Sequence, residues 1–329
     1  MQNSLPKIEL HLHLDCSLSY DAVRQIDPAY ARARYDTDII APPKCRDLAD
    51  YLARTRNSVG LLQTEAALRI AARDLVRQLA AENVIYAEIR FAPLLHLANG
   101  LPPEQVVEIV AAATQAANAE YGIETRLILC TLRHFSEAQG LQTAQLVERY
   151  QDQGVVALDL AGGEADFPLE PHIAAFTYAR EQGLNRIAHG GEALGPASVR
   201  AILAKLHPMR IGHGVRSIDD PALVEQLIAA NVHLEVCPTC NVQIDIYDTL
   251  PDHPVDRLYR AGVSLSINTD ARATTPTTLT ADYAALRDTF GWTEAELLAT
   301  NLNAITASFA PPELKNTLTA QLRAAYQAN

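Results

Sequence analysis

Two histidines separated by one residue, His11 and His13, lie in the apolar run IELHLHL near the start of the chain. Because successive side chains of a β-strand point to opposite faces, this spacing places both imidazoles on the same face of a predicted strand. Imidazole nitrogen is a common metal ligand, so the pair could form half of a metal site. A strand with two structural histidines has the same spacing, and the pair alone does not separate the two alternatives.

Side chains that can bind a metal or carry a proton also close three later apolar runs, each typical of a buried strand. These residues are His189, His213 and Asp270. Three imidazoles and a carboxylate are a donor set that suits zinc and leaves a position for water. The predicted ligands are His11, His13, His189 and Asp270. Zinc lowers the pKa of bound water toward neutrality, so the sequence predicts a hydrolase with one Zn²⁺ per chain.

Two further residues are candidates for the catalytic chemistry, together with Asp270. Glu192 follows His189 by three residues, where it could exchange protons with a substrate atom beside the metal. His213 could orient the attacking water or balance developing charge. The structural alternatives are a helix-start carboxylate for Glu192 and a hydrogen-bonded core histidine for His213.

Eight apolar runs alternate with amphipathic segments along the chain. The predicted strands are 8–14, 84–93, 126–133, 155–162, 186–192, 210–215, 232–238 and 263–270. Helical patterns are clearest at 104–121, 136–151, 170–182, 197–206, 221–231 and 253–261. This alternation predicts an α/β fold, a (β/α)8 TIM barrel, with a helical insertion between the first and second strands, from 16 to 83, that covers the barrel mouth. In such a barrel the carboxyl ends of the strands converge, which would bring the candidate residues together.

Length and charge limit the remaining possibilities. A chain of 329 residues fits one barrel domain spanning 1–329, and no run approaches the length of about 18 apolar residues that a membrane span needs. The net charge of −12 argues against nucleic acid and favours a small-molecule partner. The first residues lack the pattern of a signal peptide, so we expect a cytoplasmic protein. Nothing in the sequence indicates the oligomeric state.

The five cysteines do not suggest a disulfide framework, because their number is odd and no secretory pattern is present. Cys237 and Cys240 form a Cys-x-x-Cys pair without a second pair to complete a structural zinc site. With His233 and Glu235 they also bear a superficial likeness to the motif of the nucleic-acid deaminases. We reject that alternative because the spacing differs and all these residues are expected along one extended segment.

Five motifs, in order, resemble those of the adenosine deaminase family over the whole chain: PKIELHLHLD at 6–15, HGGEALGP at 189–196, RIGHGV at 210–215, LEVCPT at 234–239 and NTD at 268–270. The resemblance implies a mononuclear zinc enzyme with the four ligands given above. It implies that Glu192 protonates N1 of a purine while hydroxide attacks C6, that His213 orients the hydroxide, and that Asp270 is also the base. The implied substrate contacts are His13, Asp15 near the 5′ side of the sugar, and the backbone N–H of Gly162 at purine N3.

Three positions depart from the family pattern. Ala271 stands where an acidic residue or Asn usually contacts purine N7, Cys16 replaces a Gly, and Cys240 replaces a Ser. The expected substrate is adenosine or 2′-deoxyadenosine. A 5′-modified adenosine such as aminodeoxyfutalosine is the alternative, because Cys16 and Arg272 could reshape the pocket or meet a carboxylate, and adenine is a less favoured one.

Two other protein classes are alternatives to a mononuclear enzyme. Binuclear metallohydrolases share the opening His-x-His but need a bridging Lys or carboxylate after strand four, where this chain has DLAG at 159–162. A purine-binding protein without catalysis would have lost a reactive residue. Here all six candidates are present: His11, His13, His189, Glu192, His213 and Asp270. The number of metal ions per chain distinguishes the binuclear metallohydrolases from the predicted mononuclear enzyme. Measurement of turnover distinguishes a purine-binding protein without catalysis from an enzyme.

Overall fold

The computed structural model describes residues 5–327, and its eight strands form one parallel sheet in the order β1 to β8. The strands are β1 Lys7–His13, β2 Val84–Phe91, β3 Glu124–Leu132, β4 Val155–Ala161, β5 Asn185–Gly190, β6 Arg210–His213, β7 His233–Val236 and β8 Leu265–Ile267. Each strand pairs with the next one in the chain. Sequential parallel pairing of eight strands is the arrangement of a (β/α)8 barrel.

The barrel closes between β8 and β1 through a loop rather than through a long ladder. The Asp270 N–H donates to the His11 carbonyl at 2.9 Å, and the His13 N–H donates to the Asp270 carbonyl at 2.7 Å. The Asn268 side chain accepts from the Leu10 N–H at 2.9 Å. Closure therefore places Asp270 directly beside the two histidines of β1.

Fourteen α-helices lie among the described residues, around and over the barrel. They are α1 Tyr20–Ile26, α2 Arg32–Asp38, α3 Leu48–Leu61, α4 Glu65–Ala81, α5 Pro103–Tyr121, α6 Glu137–Arg149, α7 Ile173–Glu181, α8 Pro196–Leu206, α9 Pro221–Ala229, α10 Pro238–Gln243, α11 Val255–Arg260, α12 Leu279–Phe290, α13 Glu294–Ala307 and α14 Pro312–Gln327. The first four form the insertion between β1 and β2. None of the helices described is both long and apolar enough to span a membrane.

The predicted barrel is confirmed, and all eight predicted strands are present. The last three strands are shorter than predicted because the chain turns where the functional residues begin. His213 has φ 61° and Asp270 has φ 63°, and this left-handed backbone does not continue a strand. The six predicted helices are present, with ends shifted by up to three residues.

Apolar side chains fill the space between the sheet and the helices, but the inside of the barrel is charged. Arg90 on β2 and Arg210 on β6 are 0% and 1% exposed. Burying a charge is favourable only where it is paired, so these residues need carboxylates beside them. Those carboxylates belong to the site described below.

Asn301 on α13 connects the start of β1 to the outer helical layer through hydrogen bonds. Its Oδ1 accepts from the Ile8 N–H at 2.7 Å, and its Nδ2 donates to the Tyr283 hydroxyl at 2.9 Å. All of these groups are buried, so truncation leaves a strand N–H without a partner.

We expect Asn301→Ala to lower the free energy of unfolding by about 1–3 kcal/mol, the cost of an unsatisfied buried donor. Asn303→Ala is the matched control, because it changes the same residue type on the same helix and removes no hydrogen bond among residues 5–327. Urea denaturation of both variants is the measurement. Equal stability of the two would contradict this role of Asn301.

Candidate active site

The carboxyl ends of four strands bring the predicted residues together. His11 and His13 lie on β1, His189 lies on β5, and His213 ends β6. The ring centroid of His11 lies 4.6 Å from that of His189 and 4.7 Å from that of His213. Asp270 joins them from the loop after β8. Residues separated by up to 259 positions therefore share one end of the barrel.

The predicted ligand atoms have the mutual spacing of a metal site. His13 Nε2 lies 3.3 Å from His189 Nε2, and the Asp270 Oδ1 lies 3.3 Å from His11 Nε2 and 3.4 Å from His13 Nε2. Ligand atoms at zinc distances of about 2.0–2.1 Å in tetrahedral directions are about 3.4 Å apart. In addition, the buried His11 Nε2 has no hydrogen-bond partner among the described residues. The residues present therefore fit a small divalent cation.

Two buried carboxylates orient the histidines from below. His11 Nδ1 lies 2.9 Å from Glu235 Oε2, and His189 Nδ1 lies 3.2 Å from Asp159 Oδ1. Each carboxylate accepts the Nδ1 proton, which leaves the Nε2 lone pair facing the other ligands. Arg90 bridges the carboxylates, donating at 2.8 Å to Asp159 and at 2.6 Å to Glu235.

The electrostatics favour the metal-binding forms of three predicted ligands, His13, His189 and Asp270. Burial lowers the pKa of His13 and His189, and their cationic or imidazole neighbours add to the effect, so both rings are neutral. Burial alone would raise the pKa of Asp270, but the adjacent imidazole of His11 holds it well below the usual range. A neutral imidazole and an ionised carboxylate are both able to donate a lone pair.

A cysteine thiol holds the other carboxylate oxygen of Asp270. Cys240 Sγ lies 2.9 Å from Asp270 Oδ2, and burial raises the pKa of this thiol well above its usual value. The thiol is therefore protonated and donates. The departure from serine at this position keeps a hydrogen-bond donor to Asp270.

Glu192 lies on the loop that leaves β5, with its side chain in the buried site. Burial raises its pKa well above the usual value, and the carboxylates of Asp270 and Glu164 raise it further. Its Oε1 lies 3.3 Å from His213 Nε2. The exposed helix-start role considered for this residue does not apply, because Glu192 is 5% exposed. A carboxylic acid that keeps its proton near neutral pH can act as a general acid.

Glu164 fixes the backbone of the Glu192 loop. Its carboxylate accepts from the N–H groups of Gly191 at 2.8 Å, Glu192 at 3.1 Å and Leu194 at 2.9 Å, and from the Ser198 hydroxyl at 2.5 Å. Gly191 has φ 65°, which turns the chain so that these N–H groups converge. One buried carboxylate thus holds the whole turn.

A hydrogen-bond chain defines the tautomer of His213. The Val255 N–H donates to His253 Nδ1 at 3.2 Å, so the His253 Nε2 proton faces Asn241 Oδ1, also at 3.2 Å. This orients the Asn241 amide, whose Nδ2 donates to His213 Nδ1 at 3.2 Å. His213 therefore carries its proton on Nε2, the nitrogen that faces Glu192.

A cavity of about 500 Å³ opens above these groups. Its lining includes all the predicted site residues except His11, which lies beneath its floor: His13, Asp15, Gly162, His189, Glu192, His213 and Asp270. Gly162 has φ 94°, a backbone conformation that favours glycine, and burial raises the pKa of Asp15 to about 6. Helix α3 supplies part of the wall, including Tyr51 and Leu52, so the insertion covers the barrel mouth as predicted.

The departures from the family pattern fall in different places. Cys16 and Ala271 line the cavity. The interpretation of Arg272 as a group that meets the substrate is wrong, because it does not line the cavity and its guanidinium pairs with Glu82 in the protein interior. Arg272 is attracted away from the mouth by a buried carboxylate that follows α4.

The set of residues that suggested a nucleic-acid deaminase is dispersed. His233 Nδ1 contacts Ser264 at 2.9 Å, at the amino-terminal ends of the strands, while Glu235 pairs with Arg90 and Arg210. The expectation that all these residues lie on one extended segment is wrong, since Cys240 lies on α10. All five cysteines are free and buried.

The residues that support the site were not predicted from the sequence. Arg90, Glu164 and Asn241 were not singled out, and Asp159 and Glu235 were named only in other connections. A charged residue inside an apolar strand indicates a buried ion pair, and this signal could have identified Arg90. Gly212 was also missed: a Cβ there would lie 2.9 Å from His11 Cε1 and 3.1 Å from His189 Cγ, so only glycine leaves room for both rings.

Fold and site together define a metal-dependent deaminase of the hydrolase class, built on a (β/α)8 barrel. A family model described as adenosine deaminase matches residues 6–325. An adenosine deaminase of Lacticaseibacillus paracasei is 36% identical, with 98% of this chain and 97% of that protein aligned, and one of Enterococcus faecalis is 34% identical, with 98% and 97% aligned. This chain belongs to the adenosine deaminase family.

Solved structures of related deaminases have the same architecture. An adenine deaminase from Arthrobacter aurescens superposes with a TM-score of 0.91 at 27% identity, covering 98% of this chain and all of that one (100%). The Arabidopsis N6-mAMP deaminase superposes with a TM-score of 0.87 at 26% identity, covering 100% and 99%. The barrel is thus shared by relatives whose names specify different purines.

We expect Glu164→Gln to lower kcat by roughly ten- to a hundredfold, because an amide N–H group then faces the loop N–H groups and displaces Glu192. Removing the Glu164 charge also lowers the pKa of Glu192. If Glu192 acts in its protonated form, activity falls as the pH rises through that pKa, so the alkaline limb of the kcat profile moves to lower pH.

Glu170→Gln is the matched control for this variant. It removes a nearby exposed carboxylate, which pairs with Lys205, and it should change neither kcat nor the profile. An alkaline limb and a kcat that stay unchanged in Glu164→Gln would show that this carboxylate does not position Glu192.

Proposed function

We propose that this chain, as a single domain, is a zinc-dependent hydrolytic deaminase of a 6-aminopurine nucleoside, adenosine or 2′-deoxyadenosine. One observation carries the proposal: a metal-spaced set of donor atoms and a protonated Glu192 border the same cavity. The curated adenosine deaminases that match nearly the whole chain support this substrate class.

The proposed zinc ligands are His11, His13, His189 and Asp270, because their donor atoms are spaced for one ion. Carboxylates at Nδ1 hold His11 and His189 in the required tautomer. Zinc in this position lowers the pKa of water, which supplies a nucleophile at neutral pH. We infer one ion per chain. Asp159 occupies the place on β4 where a second metal would need a bridge, but Arg90 and His189 already use its oxygens.

Proton transfer falls to Glu192, His213 and Asp270 in this proposal. Glu192 is protonated and donates to purine N1 while water adds at C6. Protonation of N1 lets the ring accept the electron pair. The Asp270 carboxylate would accept one proton of the water and pass it to the amino group, which leaves as ammonia, while Glu192 would recover its proton from the C6 hydroxyl as the carbonyl forms. The Nε2–H of His213, beside Glu192, would stabilise negative charge on the attacking oxygen.

Binding contacts hold the purine in the cavity. We assign the Gly162 N–H to purine N3 and the Asp15 carboxylate to the sugar, with His13 beneath the ring, because all three residues line the cavity that also contains His189 and Asp270. At Ala271 a methyl group replaces the usual polar contact to N7. The loss of that contact reduces affinity without touching the proton-transfer groups.

The structure weakens one argument for a 5′-modified substrate. Arg272 was the residue expected to meet a carboxylate on such a molecule, and it is paired with Glu82 instead. Cys16 in the cavity wall is the remaining departure near the sugar. Adenosine therefore stays the first candidate, aminodeoxyfutalosine the second and free adenine the third.

Ammonia release should be measured for adenosine, 2′-deoxyadenosine, adenine and aminodeoxyfutalosine under the same conditions. We expect the two nucleosides to have the highest kcat/KM. A higher kcat/KM for the 5′-modified compound or for adenine would replace the proposed substrate while leaving the reaction intact. Absence of ammonia from all four compounds would refute the deaminase assignment.

We expect Glu192→Gln to lower kcat by roughly a hundred- to ten-thousandfold, the usual contribution of a general acid–base group. Metal analysis should find one zinc in both the variant and the parent protein, because the side chain is not a ligand. Glu225→Gln on α9, away from the cavity, is the control and should retain full activity. A fully active Glu192→Gln protein, or two metal ions per chain, would contradict the proposed roles.

A further inference from the structure

A second cavity lies at the opposite end of the barrel from the candidate active site. It has a volume of about 900 Å³ and opens between the amino-terminal ends of β5 to β8 and the helices α13 and α14. Its wall includes Asn185, Met209, Asn231 and Ser264. This volume is within the range of about 300–1,000 Å³ that is usual for small-molecule sites. None of the proposed metal ligands, proton-transfer residues or purine contacts lines it.

The charges that line this cavity are all positive. Arg210, Arg260 and Lys315 lie in its wall, and no Asp or Glu of the described chain does. His233 also lines the cavity, but burial and the charge of Arg210 lower its pKa to about 3, so its ring is neutral. The whole chain has a net charge of −12, so an acid-free concave surface is contrary to its overall composition. A cavity lined by one sign of charge concentrates its field on an ion of the opposite sign.

Lys315 is the cation with the least local compensation. Its Nζ donates to the Thr306 carbonyl at 2.8 Å, and no carboxylate lies within ion-pair distance of it in the part of the chain that the structure describes. Partial burial lowers the pKa of Lys315, the Glu88 carboxylate raises it, and Arg210 lowers it by less than Glu88 raises it. An anion placed here would replace the hydration that Lys315 loses on burial.

Arg260 and Arg210 line the same cavity as Lys315, but they differ in how firmly other residues hold their side chains. Arg260 forms an exposed pair with Asp256 at 3.0 Å, which is weak and leaves other N–H groups available. Arg210 is buried and fully committed to Glu88 at 2.5 Å and Glu235 at 2.7 Å. Arg260 can therefore turn to a ligand, whereas the charge of Arg210 is already balanced by its two carboxylates.

Apolar side chains complete the wall beside these cations. The Phe309 ring lies under the Arg210 guanidinium, with 4.1 Å between the guanidinium carbon and the ring centroid. Met209 is 43% exposed and also lines the cavity, as does Tyr259. A bare inorganic ion would leave most of this volume and these surfaces unused. An organic anion would use both the charge and the apolar wall.

We propose that this cavity binds a small phosphorylated organic molecule, with its phosphate on Lys315 and Arg260 and its organic part against Met209 and Phe309. A phosphate dianion has three acceptor oxygens for the N–H groups of these cations. The site is separate from the deaminase reaction, and it does not depend on which purine the chain deaminates.

The choice of test variants follows from the ion pairs. Arg210 also holds Glu235, which accepts from the metal-site residue His11, so its substitution would disturb both ends of the barrel. Lys315→Gln and Arg260→Gln change only the cavity rim. Lys205→Gln is the matched control: Lys205 is a half-exposed lysine on α8, paired with Glu170 and outside the cavity.

Calorimetric titration of the zinc-loaded full chain with ribose 5-phosphate and with ribose, at equal ionic strength, tests the proposal. Neither probe has a purine base, so neither carries the group that the deaminase site acts on. We expect ribose 5-phosphate to bind at least tenfold more tightly than ribose. Its affinity should fall at least tenfold in Lys315→Gln and several-fold in Arg260→Gln, with no change in Lys205→Gln.

Two results would overturn the site. One is ribose 5-phosphate binding no more tightly than ribose. The other is equal affinity of the parent protein and both rim variants, which would place any binding elsewhere. If Lys315→Gln does not fold, the exposed Arg260→Gln still decides the matter. Because binding is measured directly, the result is independent of whether ammonia release is observed.

Discussion

The buried guanidinium of Arg90 connects the parts of the proposed metal site. Its Nη1 donates to Asp159 and its Nη2 to Glu235, at 2.8 and 2.6 Å. Burial alone would lower the pKa of Arg90, but the two carboxylates hold it above its ordinary value, so the charge is permanent. Without this cation, two carboxylates in the barrel interior would repel each other and take up protons. They could then no longer accept the Nδ1 protons of the two histidines.

The balance of buried charge also explains why the interior of this barrel suits a dication. Two arginines, Arg90 and Arg210, face the three carboxylates of Glu88, Asp159 and Glu235 in the barrel interior. The ionised Asp270 adds a fourth negative charge, while His13 and His189 are neutral. Among these groups the carboxylates outnumber the guanidinium groups by two, and an ion with two positive charges would offset that difference. Metal binding would therefore also stabilise the charged core, because it reduces the repulsion among the buried carboxylates.

Sequence predicted the barrel and the convergence of the candidate site residues because both depend on local pattern. The alternation of apolar runs identified all eight strands, and the position of His11, His189 and Asp270 near strand ends placed them at one mouth. The supporting residues could not be predicted with the same confidence, because their partners are distant in sequence. Glu164, for example, accepts from N–H groups about 30 positions further along the chain, and only the closed barrel brings them together.

Departures from the family pattern are tolerated because chemistry and substrate contact come from opposite sides of the cavity. The reacting groups are held from beneath, where Arg90, Glu235 and Asp159 form contacts that no substrate reaches. The upper wall comes largely from α3, and the changed residues Cys16 and Ala271 belong to the wall rather than to the support. A substitution there alters the shape that a purine meets but leaves the donor atoms at their spacing. Cys240 is the exception, since it contacts Asp270, and its protonated thiol still donates the hydrogen bond that this carboxylate requires. Substrate preference can therefore change in this barrel without any change in the groups that move protons.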